Sequence, residues 1–241
     1  MFDKLEKFQL VLLALILAFG FIIGAKTFTS AVSKDTIYVT GSAYKIVKSD
    51  SGRLEFNISV RSNNKPAAYK EVQKQIPTVL KYLENKGIQA SDIEQKSSNG
   101  YYTYKLDVHG NSTNEIASYN LSQPFVIMSS NPEKIKEISV DIQSLMDKGI
   151  DINVMPPEYF YSKLSDLKVG LLQEATTDAK QRASAMLKAT HNRPGKIQSV
   201  QMGVFQITPV DSTNVSDMGI NDTTTIDKKV TAVANIRFQI R

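Results

Sequence analysis

The stretch Phe8–Ala25, FQLVLLALILAFGFIIGA, contains one polar side chain, Gln9, and no charge. A helix over it, carried on to Phe28 at ~1.5 Å per residue, runs about 30 Å, the hydrocarbon thickness of a bilayer. This divides the chain into a cytoplasmic head (1–7), a transmembrane anchor (8–28), a polar tether (29–35) and a folded part (36–241). Two other readings fit less well. A cleaved signal peptide has an apolar core of roughly 7–15 residues and a small-residue cleavage site, which Thr29-Ser30-Ala31 matches weakly. A buried globular helix would show a polar stripe, and none is present.

Lys4 and Lys7 precede the apolar run and Lys26 and Lys34 follow it, so the distribution of positive charge does not orient the span. An N-terminal anchor before one long domain most often leaves the N-terminus in the cytoplasm and exports the rest. The expectation is a single-pass protein of the inner (cytoplasmic) membrane, with the bulk of the chain in the periplasm or at the cell exterior and lipid as the partner of its first helix. Gly20 and Gly24 form a GxxxG pair, a candidate helix-packing face, although glycine is common in membrane helices in any case.

Composition removes several classes of chemistry. The chain has no cysteine, which excludes disulfides, thiol catalysis and thiolate metal sites. The formal charge is +5, but basic and acidic residues alternate and no basic run tracks phosphates, so no nucleic-acid partner is expected. No HExxH, GxSxG, P-loop or GxGxxG signature occurs. His109 falls in a polar turn and His191 at a helix end, where a histidine is favourable with the helix dipole. Neither has a third ligand or an orienting carboxylate beside it in sequence. The sequence therefore names no catalytic residue, metal ligand, cofactor-binding residue or cofactor. A Ser–Lys dyad of residues distant in sequence would be invisible to such a reading.

After the tether, Thr36–Val47 reads as a strand interrupted at Gly41-Ser42, which suggests a bulge. In Arg53–Arg61, Leu54, Phe56, Ile58 and Val60 alternate with polar residues, as in a strand with one buried face. Asn64 caps a helix with Pro66 in its first turn, a stripe of Tyr69, Val72, Ile76, Val79, Leu80 and Leu83, and Gly87 at its end. Pro77 should kink that helix. A tyrosine-rich strand, Tyr101–Tyr104, leads through the turn His109–Glu115 to a returning strand, Ile116–Ser129, in which Pro124 favours an edge or a bulge. Asn131-Pro132 opens a second helix with Ile135, Ile138, Ile142 and Leu145 inward and Gly149 closing it. Ile152–Tyr161 is a strand broken by Pro156-Pro157. Ser165 or Asp166 caps a third helix, in which Leu167, Leu171, Ala175, Ala179 and Ala183 recur at i+4, and its alanine stripe permits close approach to a sheet. Lys196–Thr208 and Lys229–Ile240 are strands, and Val210–Asp227 between them is a polar, mobile loop. Asn85-Lys86-Gly87-Ile88 and Asp147-Lys148-Gly149-Ile150 mark a weak internal repeat. The expected fold class is α+β: antiparallel sheets with packed helices in ferredoxin-like β-α-β units, preceded by one N-terminal transmembrane helix.

Several of these phrases together resemble the SIMPL-domain family, formerly a domain of unknown function (DUF541), which occurs in bacterial oxidative-stress-defence and periplasmic immunogenic proteins. The opening IYVTGSA, the LEFNISV strand, the helix ending LENKGIQASDI and the late helix EATTDAKQRASAMLKAT followed by GKIQSV carry the likeness. In it Ala175, Ala179, Arg182, Ala183 and Gly195-Lys196 take family positions. The resemblance spans Thr36–Arg241. Pro77, Pro156-Pro157 and the Val210–Asp227 loop depart from the pattern. The resemblance implies residence outside the cytoplasmic membrane, assembly into ring-like or channel-like homo-oligomers and a loose link to stress defence. It supplies no catalytic residue.

Tyr102, Tyr104, Tyr159 and Tyr161 are candidates for core or subunit-interface packing. The methionines are potential oxidant traps, although Met146 and Met186 read as core from their helix positions. The leading expectation is a non-enzymatic, membrane-anchored envelope scaffold or binding module that self-associates. The alternatives are an adaptor recruiting a protein partner and an envelope hydrolase with an unrecognised site.

Overall fold

The computed structural model describes residues 13–26 and 35–241. Residues 13–26 form a helix, α1, whose side chains are all exposed. Among the described residues no helix is long and apolar enough to cross a membrane. The expected 1–7 head, the remainder of the 8–28 span and residues 29–34 of the tether lie outside the described residues. The chain from residue 35 is α+β, with one antiparallel and one mixed sheet. It divides into two units: Met1–Ala43, Gly170–Val204 and Ala232–Arg241 in the first, Tyr44–Val169 and Phe205–Thr231 in the second.

The second unit is built on β2 (Ser51–Ser62), α2 (Lys65–Asn85), β3 (Ile93–Gln95), β4 (Asn99–Leu106), β5 (Ser112–Ser129), α3 (Pro132–Asp141), β6 (Asp151–Val154) and β7 (Glu158–Phe160). The strands form an antiparallel sheet in which β5 pairs with β3 and β4 on one side and β2 on the other, and β2 also pairs with β6 and β7. The alternation in β2 buries Leu54, Phe56, Ile58 and Val60 on one face, as its sequence dictates. Both helices cover that face. Ala68, Val72, Ile76, Val79 and Leu83 of α2, Ile135 and Ile138 of α3 and Ile142 just after it complete one core with Phe125 and Ile127, and Phe56 and Phe125 stack at 5.3 Å. Tyr69 and Leu80, expected in the α2 stripe, are outside it; Ala68 takes the inward position.

Local chemistry explains the element ends. The Asn64 side chain accepts from the Ala67 amide (3.0 Å), and that of Asn131 accepts from Glu133 (3.1 Å) and Lys134 (3.3 Å); each relieves unpaired helix N–H groups. The repeated Lys-Gly-Ile phrase is one structural device used twice. Gly87 and Gly149 both have φ of 76°, and the following amides reach back five residues, Ile88 to the Leu83 carbonyl (3.0 Å) and Ile150 to the Leu145 carbonyl (3.3 Å). This is the Schellman closure, with the isoleucine turned into the core. Helix α2 continues through Pro77, which stands on its exposed face, where water can take the Gln73 carbonyl that loses its donor. After α3 the chain tightens to a 3-10 segment, Ile142–Lys148. Its three-residue turn keeps Ile142 and Leu145 inward and puts Met146 out. Met146 is 50% and Met186 57% exposed, against their expected core positions; in the helix Leu164–Lys188, which holds Met186, Ala183 and Leu187 take the inward row instead.

Pro124 is on the central strand, not an edge or a bulge, because its missing donor faces a gap. β3 ends opposite Phe125 and β4 begins opposite Ser122. Between them the Pro124 carbonyl accepts from the Lys96 amide (3.0 Å). The return bond that proline cannot give comes from the buried Gln123 side chain, whose Nε2 donates to the Lys96 carbonyl (2.5 Å). β5 also starts at Ser112, four residues before the expected Ile116. Pro156-Pro157 splits the next strand as expected, and both halves, β6 and β7, pair with β2.

The rest of the second unit follows β9 (Gln206–Pro209). The Val210–Asp227 segment carries β10 (Ile220–Asn221), which pairs parallel to β9. Side chains tie the segment down: Gln206 donates to the Ser216 carbonyl (2.7 Å), Lys229 Nζ to the Ser212 carbonyl (2.6 Å) and Lys228 Nζ to the Asp222 carbonyl (2.7 Å). Burial by itself would raise the Asp222 carboxyl. Hydrogen bonds from Thr225 and Thr224 and the charge of Lys228 outweigh it and bring it down to about 2. Burial lowers Lys228 despite its partner, and the side chains are only 3% and 7% exposed for Lys228 and Asp222.

The first unit joins the start of β1 (Thr36–Lys48), α4 (Leu164–Lys188) from Gly170 on, β8 (Pro194–Met202) and the end of β11 (Asp227–Ile240). β11 pairs with both β1 and β8. The expected Lys196–Thr208 strand is two shorter ones, β8 and β9, and α4 begins at Leu164, ahead of the expected caps. β1 runs unbroken through Gly41-Ser42. Gly41 serves a different purpose from a bulge: a Cβ there would sit 2.7 Å from the Ala179 Cβ and inside contact with the backbone at Ala175 and Ala179. The row Leu171, Ala175, Ala179, Ala183 and Leu187 is buried. The Ser42 amide donates to Asp178 (2.8 Å), which also pairs with Arg182 (2.8 Å). These bonds hold the Asp178 carboxyl below its usual range.

Three outcomes follow from these contacts. Gly41→Ala is expected to lose about 3 kcal/mol, the upper end for overpacking against an immovable backbone, in urea denaturation followed by circular dichroism. Gly170→Ala, with open space at its Cβ, should instead gain roughly 0.5–1 kcal/mol of helix propensity. Gln123→Leu leaves the Lys96 carbonyl unpaired and should cost about 1–3 kcal/mol. A carboxylate depressed in the folded state stabilises above its unfolded pKa of about 3.9 and loses that contribution as pH falls. Urea midpoints should therefore drop between about pH 4 and pH 2, and Asp222→Asn should make that drop shallower while lowering stability at neutral pH.

Candidate functional site

Tyr102 and Tyr104, two of the four candidate interface tyrosines, lie on the β4–β5 hairpin. The register couples Tyr102 to Tyr119, Thr103 to Ser118 and Tyr104 to Ile116. The slip after Thr103 leaves Ala117 as an extra residue on β5, which twists the ribbon. Tyr102 packs edge-on against the buried Tyr119 at 4.8 Å and 62°, yet remains 43% exposed. Tyr102 is thus half core and half surface.

The hairpin outruns the sheet. β2 ends where Ser62 faces Tyr119, so Ser112–Ser118 has β4 as its strand partner and no second neighbour. β4 itself pairs with β5 alone. The protruding part exposes four large apolar or aromatic side chains among polar ones, Tyr104, Leu106, Val108 and Ile116, with Val108 at 94%. Its one ion pair is Lys105–Glu115 at 3.0 Å. The tip is shaped by Asp107, whose Oδ1 accepts from the His109 and Asn111 amides, both at 2.8 Å. These bonds hold its carboxyl below the usual range, and Gly110 takes the positive φ of 83° that the turn requires. A two-stranded ribbon of this kind is marginal by itself in water, and an open apolar edge invites pairing.

The other candidates are elsewhere. Tyr159 is buried in the core of the second unit and offers no surface to a partner; burial raises its hydroxyl. Tyr161 is half-buried beyond the end of β7. Gly20 and Gly24 on α1 face open space. His109 is exposed at the hairpin tip. His191 has φ of 57° and occupies the left-handed position that closes α4, with the Asn192 amide donating to the Leu187 carbonyl at 3.0 Å. Among the described residues no group of three His, Cys, Asp or Glu side chains is placed to hold a metal ion.

Sequence reasoning missed Leu106, Val108 and Ile116 as parts of one exposed arm. The signal was present as apolar residues flanking a turn. What it lacked was the length of β2, which decides where the third strand stops.

Comparison with the curated proteins gives no match. A family model, SIMPL, described as a protein of unknown function (DUF541), matches residues 37–238. That match runs from the start of β1 to within two residues of the end of β11 and takes in parts of both units, and with it the chain belongs to the SIMPL family.

Proposed function

We propose that this chain is a non-enzymatic, membrane-anchored cell-envelope protein whose SIMPL domain self-associates through the β4–β5 hairpin. The observation that carries the reading is the ribbon that leaves the sheet with an open edge and an apolar surface. A second copy of the chain fits that edge for a physical reason. Two β4 strands pairing antiparallel about a two-fold axis present the same residues to each other and close both edges at once. The arm carries Lys105 against Asp107 and Glu115, with Lys105 and Glu115 joined as an internal pair, so only a small net negative charge opposes the approach. Anchoring by the apolar run 8–28 would confine copies to one plane and raise their effective concentration. The anchor, residence in the inner membrane with the domain exported, and a place in stress defence belong to the same reading. They rest on the N-terminal composition and the family resemblance.

The expected outcome is an oligomer of the full-length chain in detergent, measured by light scattering with the detergent mass subtracted. Leu106→Glu with Ile116→Glu should shift it to monomer with the far-ultraviolet spectrum unchanged, since exposed substitutions typically move stability by less than about 0.5 kcal/mol. A wild-type chain that is monomeric at high concentration, or an assembly indifferent to both glutamates, overturns the hairpin reading. Retention of the chain in the membrane after alkaline carbonate washing checks the anchor separately.

A further inference from the structure

The sheet of the second unit has a second face, opposite its helices, and the end of that face around Ser59 is built largely from amides and hydroxyls. Where β2 buries Leu54, Phe56, Ile58 and Val60 under the helices, it turns Asn57, Ser59 and Arg61 the other way. The register sets Ser59 against Ser122 and Asp151, Arg61 against Asn120, and Asn120 against Tyr101. These side chains and Asn99 line a cavity of about 300 Å³, within the lower range of small-molecule sites, ~300–1,000 Å³.

The hydrogen-bonding capacity of this cavity is only partly used by the protein. Arg61 donates through Nε to Ser118 (2.8 Å), which leaves both terminal nitrogens of its guanidinium. Asn120 donates to Thr103 (2.6 Å) and keeps its carbonyl oxygen. The lining Ser122 accepts from Asn57 (2.6 Å), which is itself outside the lining. Asp151 shares the cavity with Arg61 without being paired to it. The cavity thus offers donors and acceptors in alternation, one charge of each sign, and one aromatic ring, Tyr101, that is 68% exposed.

We infer that this face binds a neutral saccharide. A sugar hydroxyl both donates and accepts, so a ring bearing several of them matches a surface of mixed amides, hydroxyls, guanidinium and carboxylate. Its C–H face stacks on an exposed tyrosine. A phosphate or other anion would meet Asp151, a cation would meet Arg61, and an apolar ligand would strip water from these polar groups without replacing its bonds. The inference stands independently of self-association, because it uses the face of the sheet and not the β4 edge.

The test is isothermal titration of the full-length chain, in a polyoxyethylene detergent that carries no sugar, with triacetylchitotriose and with maltotriose. Binding of at least one at millimolar concentration is expected. Arg61→Ala and Tyr101→Ala should each weaken it roughly tenfold, the size of one lost charged hydrogen bond or stacking contact, with thermal melts confirming that both variants fold. Inorganic phosphate and glycine should neither bind nor compete. No heat with either sugar at about 20 mM, far above the ~1 mM of a weak site, overturns the assignment. So does sugar binding unchanged in both variants, or displacement by phosphate or glycine.

Discussion

β5 is longer than any strand it pairs with, and much of the second unit follows from that mismatch. It has 18 residues, against 12 in β2 and 8 in β4. The half that faces β2 carries Phe125 and Ile127 into the core beneath α2 and α3. The half beyond Tyr119 has only β4 beside it and becomes the exposed arm. One strand thus supplies both core residues and one strand of the exposed arm.

A central strand of that length tolerates a proline only because the neighbouring side is discontinuous. β3 and β4 leave a gap opposite Pro124, and Gln123 closes the hydrogen bond that the gap would leave open. The same alternation that buries Ile58 and Val60 of β2 and Leu121 of β5 turns Ser59, Arg61, Asn120 and Ser122 to the other face, so the core, the arm and the polar cavity are three consequences of one antiparallel ladder. In the first unit the corresponding constraint is steric. Gly41 and the alanine row of α4 let backbone meet backbone, and the Ser42–Asp178–Arg182 bonds sit beside that contact.

Much of this was legible along the chain. The alternation of β2, the Asn64 and Asn131 caps, the paired Lys-Gly-Ile closures and the split at Pro156-Pro157 each depend on residues within a few positions of one another, and each was read correctly. Expectations failed where the deciding partner was remote or where the helical period changed along the chain. Gly41 reads locally as a bulge but answers to Ala175 and Ala179, more than a hundred residues away. Pro124 reads as an edge signal but answers to the gap before Asn99. Met146 follows the helical period until a 3-10 segment changes that period. Of the four candidate tyrosines, alternation grouped Tyr102 with Tyr104, but it could not show that Tyr159 is enclosed by another layer.

The amino-acid sequence by itself determined the α+β class, the Asn64 and Asn131 caps, the glycine closures at Gly87 and Gly149, the buried face of β2 and the family, because these follow from short-range periodicity and from the few residues that tolerate capping geometry. Only the tertiary structure decided which strands are central, where β5 outruns its partners, and that Ser59, Arg61, Asn99, Tyr101, Asn120 and Asp151 share one cavity. Strand pairing brings together residues scattered across Ser59 to Asp151, and no local pattern specifies which strand stops first.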